Sequence, residues 1–525
     1  MSENSRVTSA AGVISAATLC SRIFGYLRDM VFAGLFGAGP VSDAFIAAFR
    51  IPNMLRRLFG EGSLSISFIP VFTEFYTHNG KNEAFRLARS AIRLLSVLLA
   101  AAAVLGVVFS PWIVRTIAYG FSDSSVKFAL AVDLTRIMFP YVFFIGMVAL
   151  SMGILNVLGH FAAPALAPVF LNLAMIGSVV LVSQFSANPT TRVYGLAIGV
   201  VVGGVLQLML QVPFLLKKGF YFWKRAKIYH PGLKKIGRLF FPATFGAAVL
   251  QINTLVGTLL ASFQTEGSIT YLYFADRLVQ FPLALFGIAT ATAALPIFSR
   301  QMTAGDYAAV QDTFAYSLKL VFFITIPSMV GLIILREPII ALLFQRGAFD
   351  AEATRLTAYA LLYYTIGLWA FSAVRIVVNA FYAMQDTKTP VRMAVVSISA
   401  NLVLGIILMK PMGHGGLALA LSLASMLNLG LLIRALRRRF ATLGLRSILL
   451  SVCKTTLCSI LMGFTVWAVA TLVIPANDAT SVDLLLGIMG SILIGMLVYG
   501  FFSYIVKSPE LERVLTIALE SMQKK

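Results

Sequence analysis

Apolar runs of about 20 residues recur along almost the whole of this 525-residue chain. A run of about 18 or more apolar residues is long enough to cross the hydrocarbon core of a bilayer as an α-helix. Hydrophobic residues make up 59% of the sequence and charged residues only 12%, whereas about 25% of the residues in soluble domains are charged. The sequence therefore predicts an all-α polytopic membrane protein with about 14 transmembrane helices.

The formal net charge of +21 comes from basic loops, and no basic arm or domain that could bind nucleic acid is present. Lysine and arginine concentrate in alternate loops and in the tail, near residues 81–89, 217–235, 388–392, 434–446 and 507–525. Loops rich in these residues stay in the cytoplasm. Because an even number of spans returns the chain to its starting side, we expect both termini in the cytoplasm.

The basic loop at 217–235, KKGFYFWKRAKIYHPGLKK, interleaves aromatic and basic residues. This composition is typical of a segment that lies on anionic lipid headgroups. A motif that binds a protein partner is the alternative.

An internal repeat divides the chain. Residues 67–94, SFIPVFTEFYTHNGKNEAFRLARSAIRL, align without gaps on residues 293–320, AALPIFSRQMTAGDYAAVQDTFAYSLKL. An even number of crossings between them makes the repeats parallel, related by an axis along the membrane normal. We expect two six-helix lobes, 1–230 and 231–441, related by a pseudo-two-fold axis, and a C-terminal two-helix hairpin with a tail at 442–525. This layout is typical of alternating-access transporters, with a channel or a structural bundle as alternatives.

Three charges interrupt the first apolar run, SRIFGYLRDMVFAGLFGAG. At about 100° per residue, Arg22 and Asp29 share one helix face and Arg28 lies about 120° away. Together with Asp43 and Arg56, these charges would cost about 10 kcal/mol in contact with lipid, which is comparable to the stability of a whole domain. We expect them to face a hydrated cavity between the lobes. Pairing with one another, or a position at a helix end, is the alternative.

The second apolar segment, SDAFIAAFRIPNMLRRLFGEGS, also carries charges within an apolar run. Its charged residues close to one helix face are Asp43, Arg50, Arg57 and Glu61. Because Pro52 kinks the helix, spacing alone leaves open whether Arg56 or Arg57 points inward. Arg57 and Glu61 are also spaced to form an ordinary surface pair.

The second lobe contributes the motif YFADRLVQFP, which places Asp276 and Arg277 near the start of the eighth helix. Arg277 lies near the repeat partner of Arg50. The planar guanidinium group binds phosphate oxygens in pairs, whereas a cation exporter would require acidic residues at mid-membrane. The arginines therefore favour an anionic substrate that carries a phosphate or diphosphate.

Nothing in the sequence indicates an enzyme or a metal site. The histidines are dispersed, and the three cysteines are scattered through apolar segments. No phosphate-binding loop, zinc spacing or Ser-His-Asp set is recognisable. We therefore expect a protein that is not an enzyme and holds no metal.

The motifs SRIFGYLRD, SDAFIAAFRIPNMLRRLFGEGSLSISFIPVF and YFADRLVQFP closely resemble those of the MurJ (MviN) lipid II flippases. That family belongs to the multidrug/oligosaccharidyl-lipid/polysaccharide exporter superfamily. The resemblance extends over essentially the whole chain, including the last two predicted helices.

The resemblance implies a V-shaped pair of lobes and a groove formed by the two extra helices. It implies that lipid II, an undecaprenyl-diphosphate disaccharide-pentapeptide, is moved from the cytoplasmic to the outer leaflet of the bacterial inner membrane for peptidoglycan synthesis and cell shape. The family's cavity arginines correspond to Arg22, Arg28, Arg56 and Arg277. Its functional acids correspond to Asp29, Asp43 and Glu61, and we add Asp276. We expect lipid II and membrane lipids as partners, no nucleic acid, and a monomer.

Two departures from the family concern the acidic residues. Many relatives carry an acid three residues after the equivalent of Arg277, where this chain has Gln280. Some members bind sodium through acids of the seventh and eleventh helices, and here those spans offer only the amides of Asn253 and Asn401. We therefore expect no cofactor and a cycle driven by the membrane potential. The alternatives to a lipid II flippase are a flippase for another polyprenyl-diphosphate glycan and a MATE-like cation antiporter.

Overall fold

The computed structural model describes residues 3–58, 64–224, 227, 229–440, 443–475, 480–513 and 516, without the side chains of residues 3–11, 243, 245–247, 249 and 250. Within these ranges the chain forms α-helices, and the only β-type pairing is an isolated bridge between Arg346 and Phe349. The prediction of an all-α chain is confirmed.

The chain divides into two compact units, Met1–Ile269 and Thr270–Lys525. The helices of the first unit are α1 (Glu3–Phe36), α2 (Pro40–Leu58), α3 (Leu64–His78), α4 (Gly80–Val108), α5 (Ser110–Ile117), α6 (Ser125–Met138), α7 (Tyr141–Val157), α8 (Ala162–Ser183), α9 (Pro189–Lys217) and α10 (Pro231–Ser262). The remaining helices are α11 (Ser268–Pro282), α12 (Ala289–Thr303), α13 (Tyr307–Ile334), α14 (Arg336–Phe344), α15 (Ala351–Ile366), α16 (Leu368–Ala383), α17 (Lys388–Arg437), α18 (Leu445–Val473) and α19 (Ser481–Ile505). The predicted boundaries at 230 and 441 remain a prediction.

Both units repeat the same series of helices. In chain order α3 to α7 correspond to α12 to α16, and the short helix α5 has its counterpart in α14. The turn after α7 closes with the His160 N–H donating to the Leu155 carbonyl (2.8 Å), and the turn after α16 closes with the Asp386 N–H donating to the Phe381 carbonyl (3.0 Å). Such a six-to-one bond is a common helix stop. The repeat seen in the sequence therefore reaches well beyond the aligned segments.

Several long apolar stretches of the sequence are divided between two helices or interrupted. The apolar stretch at 88–118 is divided between α4 and α5, and the one at 353–384 between α15 and α16, which are bent by 40°. Helix α17 runs for 50 residues, about 75 Å at 1.5 Å per residue, which is too long for a single crossing. It is interrupted at Gly413, whose φ of 57° and ψ of −136° are not helical.

Nine helical stretches of the described chain are long and apolar enough to cross a membrane, and the bent pair α15–α16 makes up to ten. The helices that would raise this number towards about 14 include α1 and α2, whose charges lower their mean hydropathy. The chain is thus a polytopic helical membrane protein, and its exact number of crossings remains a prediction.

A stripe of glycines brings α9 close to α8 in the first unit. Cβ atoms built on Gly195, Gly199 and Gly203 would lie 2.6–3.0 Å from atoms of α8. In membranes, small residues at this four-residue spacing let two helix backbones approach and gain van der Waals contact. Helix α8 is therefore fixed between α9 and α1, against both of which it packs.

Candidate functional site

Arg28 and Asp29 are buried together on α1, although this helix was predicted to face water there. Arg28 Nη2 and Nε donate to Asp29 Oδ1 at 2.7 and 3.1 Å, and Arg28 Nη1 donates to Asn172 Oδ1 at 3.1 Å. The arginine is 9% exposed and the aspartate 3%. A buried charge pair of this kind is costly to break, because either partner alone would remain desolvated.

Asn172 reaches Arg28 because of the close packing of α8. Its side-chain amide also donates to the Ser21 carbonyl of α1 at 3.3 Å, and it lies 3.7 Å from a Cβ built on Gly25. The asparagine therefore ties α8 to α1 at two points and orients the guanidinium. The sequence analysis missed Asn172, because an uncharged residue 144 positions away gives no local signal.

Asp43, in the first turn of α2, is 1% exposed. Its Oδ2 accepts from Lys127 Nζ at 3.0 Å and from the Gly267 N–H at 2.8 Å. Lys127 begins α6 and lies over the Phe121 ring, 4.4 Å from its centroid. Asp43 thus forms an ion pair between the first turns of α2 and α6, and whether it faces a cavity between the lobes remains a prediction. The sequence analysis did not single out Lys127 as a partner of Asp43.

The arginines of α2 occupy different surroundings. Arg56 is half-buried, and its Nε donates to Asn53 Oδ1 at 3.0 Å. Arg57 is exposed at the residue level and, with Arg50, lines a cleft of the first unit. The lining of this cleft is Arg50, Asn53, Met54, Arg57, Gln251, Thr254 and Leu255. The choice of Arg56 over Arg57, which came from the family resemblance, remains a prediction.

Two of the predicted site residues do not join these contacts. Arg22 is exposed on α1, although the helical pitch places it on the same face as buried Asp29. Glu61 lies outside the described residues, so its predicted role is not addressed by the structure.

In the second unit, Asp276 and Arg277 are half-buried on α11. Arg277 Nη2 lies 3.0 Å from Tyr273 Oη and its guanidinium carbon is 5.1 Å from the Tyr273 ring centroid. Asp276 Oδ1 accepts from Gln280 Nε2 at 3.3 Å. Gln280, at the position where the family resemblance implies an acid, therefore donates a hydrogen bond to Asp276 from its uncharged amide.

The helix that carries Arg277 ends in a wide turn. Residues Leu283–Ile288 form a π-helical segment directly after Pro282. Such segments are rare and occur frequently at functional sites. The proline removes a backbone donor and the ordinary helical ladder cannot continue through it, so the YFADRLVQFP motif ends where the helix changes its winding.

A further arginine was not found from the sequence. Arg375 is exposed near the middle of α16, within the bent pair α15–α16, which is long and apolar enough to cross a membrane. An ionisable residue at such a position is by default a candidate for function. The sequence did contain a signal for Arg375, because it is a lone charge in an otherwise apolar run.

A metal centre has no ready ligands here. Within the described ranges, no group of three or more His, Cys, Asp or Glu side chains could hold an ion. Asn401 is buried and Asn253 half-buried. The absence of a cofactor remains a prediction.

The features together define a class of protein. A chain of long apolar helices, arranged as a repeated series, with arginines and carboxylates buried or half-buried on the helices, is built as a polytopic membrane transporter.

The comparisons with known proteins identify the family. The model of the family "Lipid II flippase MurJ" matches residues 32–482. A probable lipid II flippase MurJ of Vibrio cholerae is 41% identical over 438 residues, which are 82% of this chain and 83% of the relative. A lipid II flippase MurJ of Burkholderia cenocepacia is 37% identical over 433 residues, 81% of this chain and 83% of the relative. The chain therefore belongs to the MurJ family of lipid II flippases.

Solved structures agree with this assignment. A lipid II flippase MurJ in an inward closed conformation is 30% identical with a TM-score of 0.78, over 94% of this chain and 98% of that one. An inward-facing MATE family transporter of the MOP superfamily is 16% identical with a TM-score of 0.66, over 82% of this chain and 98% of that one. The second likeness shows a shared fold alone.

Proposed function

We propose that this protein moves lipid II from the cytoplasmic to the outer leaflet of the bacterial inner membrane by alternating access, and so supplies peptidoglycan synthesis. The observation that carries the proposal is the family match over residues 32–482, with relatives named as lipid II flippases across more than four fifths of the chain. Family members are transporters, so the protein is not an enzyme.

In this proposal Arg22, Arg28, Arg56 and Arg277 bind the diphosphate. Charge-assisted hydrogen bonds contribute about 1.5–3 kcal/mol each, so several arginines offset much of the cost of removing a diphosphate from water. Arg28 is already oriented by Asp29 and Asn172. The diphosphate exchanges with the Asp29 carboxylate as the anionic partner of this guanidinium.

The acids Asp29, Asp43, Glu61 and Asp276 serve the cycle by holding cations when no substrate is bound. Asp29 does this for Arg28 and Asp43 for Lys127. A transporter that returns without substrate needs acidic side chains in place of the diphosphate, because a buried arginine left unpaired would be strongly unfavourable.

The isoprenoid tail stays in lipid along α18 and α19 while the headgroup crosses. Large apolar side chains on these helices are exposed, among them Leu457, Phe464, Trp467, Leu486, Leu493 and Leu497. The protein works as a monomer without nucleic acid or cofactor, and both termini are cytoplasmic, as the basic loops indicate.

The decisive experiment measures cleavage of lipid II by an externally added degrading toxin, in cells whose only flippase is this protein. We expect cleavage with wild type and with Arg115→Ala, which removes an exposed arginine of α5. We expect protection with Arg28→Ala at equal membrane levels, because the guanidinium that receives the diphosphate is gone.

The other results discriminate between hypotheses. Protection even with the wild-type protein, at normal levels, would mean that the substrate is another polyprenyl-diphosphate glycan. Cleavage with Arg28→Ala as well would leave flipping intact and remove Arg28 from the site.

A further inference from the structure

The chain between α9 and α10 is docked against the start of α4. We call the described residues of this stretch, 218–224, 227, 229 and 230, the linker segment. Arg93 Nη2 donates to the Lys224 carbonyl at 3.2 Å, and Ser90 Oγ donates to the Lys227 carbonyl at 2.5 Å. At its end, His230 Nε2 lies 3.0 Å from Glu83 Oε1. The contacts use the carbonyls of Lys224 and Lys227, and the two lysine residues themselves are exposed.

Arg89 lies on α4 next to Ser90 and has no anionic partner among the described residues. It is 9% exposed. Among the described residues, no acceptor lies within hydrogen-bond distance of its buried Nε, and it forms no ion pair with any described acid. The charged side chains that act on it are Arg86 and Arg93, one turn before and one turn after it, both of its own sign.

The acid in the first turn of α4, Glu83, is already engaged. Glu83 receives Arg86 Nη1 on Oε2 at 3.0 Å and faces His230 with Oε1. One carboxylate therefore lies with three arginines on the same side of α4, and Lys224 and Lys227 nearby add further positive charge. Buried guanidinium groups are normally paired, because the desolvation cost is otherwise uncompensated. The cluster is thus arranged to receive an anion.

The internal repeat shows that the fold does not require this arginine. In the ungapped alignment of 67–94 on 293–320, the positions of Arg86, Arg89 and Arg93 are taken by Asp312, Ala315 and Lys319 on α13. Ala315 packs into the apolar core of the second unit and lies 3.5 Å from a Cβ built on Gly444, in the segment after α17. The start of α13 therefore packs against the segment after α17 with an alanine at this position and needs no arginine.

We propose that Arg89, with Arg86 and Arg93, forms a phosphate-binding site at the junction of α4 and the linker segment, separate from the diphosphate site. The ligand is a phosphate group, supplied by the headgroup of an anionic phospholipid or by free phosphate. Exposed Trp223 (69%) and Tyr229 (71%) flank the site. Amphipathic aromatic rings settle at the membrane–water interface, so the headgroup is the source that these neighbours favour.

The test measures lipid binding to the purified full-length protein by native mass spectrometry. Phosphatidylglycerol is titrated in detergent against wild type, Arg89→Gln and the control Arg300→Gln, an exposed arginine of α12. We expect Arg89→Gln to bind phosphatidylglycerol about tenfold more weakly, the loss of one charge-assisted hydrogen bond, while the control binds as wild type does. Zwitterionic phosphatidylcholine should not distinguish the three proteins.

A second arm separates the two sources. Labelled inorganic phosphate is added at constant ionic strength, without lipid. Arg89-dependent binding of phosphate would support the site with free phosphate as its ligand, and Arg89-dependent binding of phosphatidylglycerol alone would support the headgroup. If Arg89→Gln does not purify as a folded protein, the exposed Arg86→Gln replaces it, with an expected loss of about threefold.

Two results would overturn the proposal. In one, the cluster variants bind both probes as wild type does. In the other, the control loses as much binding as Arg89→Gln, which would mean that surface charge in general attracts the lipid. The toxin assay on the diphosphate site is independent of either result.

Discussion

The buried charges of the first unit are stabilised by partners far away in the sequence. Arg28 meets Asn172 of α8, and Asp43 meets Lys127 of α6 together with the N–H of Gly267. Each of these contacts joins two helices that are far apart in the sequence. The same side chains that would serve transport therefore also fix which helices are neighbours.

The Asp43–Lys127 pair gives a prediction about stability. Removing one partner leaves a desolvated charge, which typically costs about 3–5 kcal/mol. We expect Lys127→Met and Asp43→Asn each to lower the thermal unfolding midpoint of the purified protein strongly. The double variant should be more stable than the sum of the two single effects, because no unpaired charge remains.

Thermal unfolding in detergent, followed by circular dichroism, checks this cycle. The pair Arg136–Asp133, whose side chains are both 47% exposed, is the matched control and should show additive effects below about 1 kcal/mol. Additive effects at Asp43 and Lys127 would contradict the prediction.

At the scale of helices, the alternation of apolar runs and basic loops predicted most of the architecture. The alignment of 67–94 with 293–320 also predicted that α3–α4 and α12–α13 would match, as they do. The break between α4 and α5 could not be predicted by length and hydropathy, because both of its halves are apolar. The interruption of α17 at Gly413 falls between two apolar runs, 390–411 and 415–436, that the sequence predicts as separate spans. The partners Asn172 and Lys127 depend on tertiary packing, which a single sequence does not encode locally.

The loop before α17 gives a prediction about pH. Asp386 accepts the Thr389 N–H (3.0 Å) and the Thr389 hydroxyl (2.7 Å), and Arg439 Nη2 lies 2.9 Å away. The Thr389 N–H is the main cause that holds the pKa of Asp386 below its usual value, with Arg439 adding to it. A lowered pKa in the folded state stabilises the protein above the unfolded pKa of about 3.9, and this stabilisation is lost as the pH falls through the folded value.

We therefore expect Asp386→Ala to lower the unfolding midpoint at pH 7, where a lost helix-capping group costs about 0.5–2 kcal/mol. Asp386→Asn should lie between the two proteins, because an amide oxygen still accepts the N–H but carries no charge. The difference between wild type and Asp386→Asn should shrink on acidification below about pH 4. A difference that is the same at pH 7 and at pH 3 would contradict the electrostatic account.

For the whole molecule, the charge balance bears on the energy source. Basic residues exceed acidic ones by 21, and Arg28 and Arg277 lie on helices that were predicted to cross the membrane. An empty site that carries net positive charge would return inward downhill under an inside-negative potential, and a site that its bound diphosphate makes net negative would move outward downhill, each by about 2.3 kcal/mol per charge per 100 mV. The potential alone can thus drive both halves of a cycle without a coupled ion.

We therefore expect flipping in proteoliposomes to follow an imposed potassium diffusion potential. Adding valinomycin to generate an inside-negative potential of about 100 mV should raise the steady-state ratio of outer-leaflet to inner-leaflet lipid II by at least tenfold, since one net charge carries more than 1.4 kcal/mol. Replacing sodium by choline on both sides should change nothing. Because Asn253 and Asn401 offer only neutral oxygens, a strict sodium requirement without any response to the potential would contradict this mechanism and assign the driving force to an ion site that the arginines do not explain.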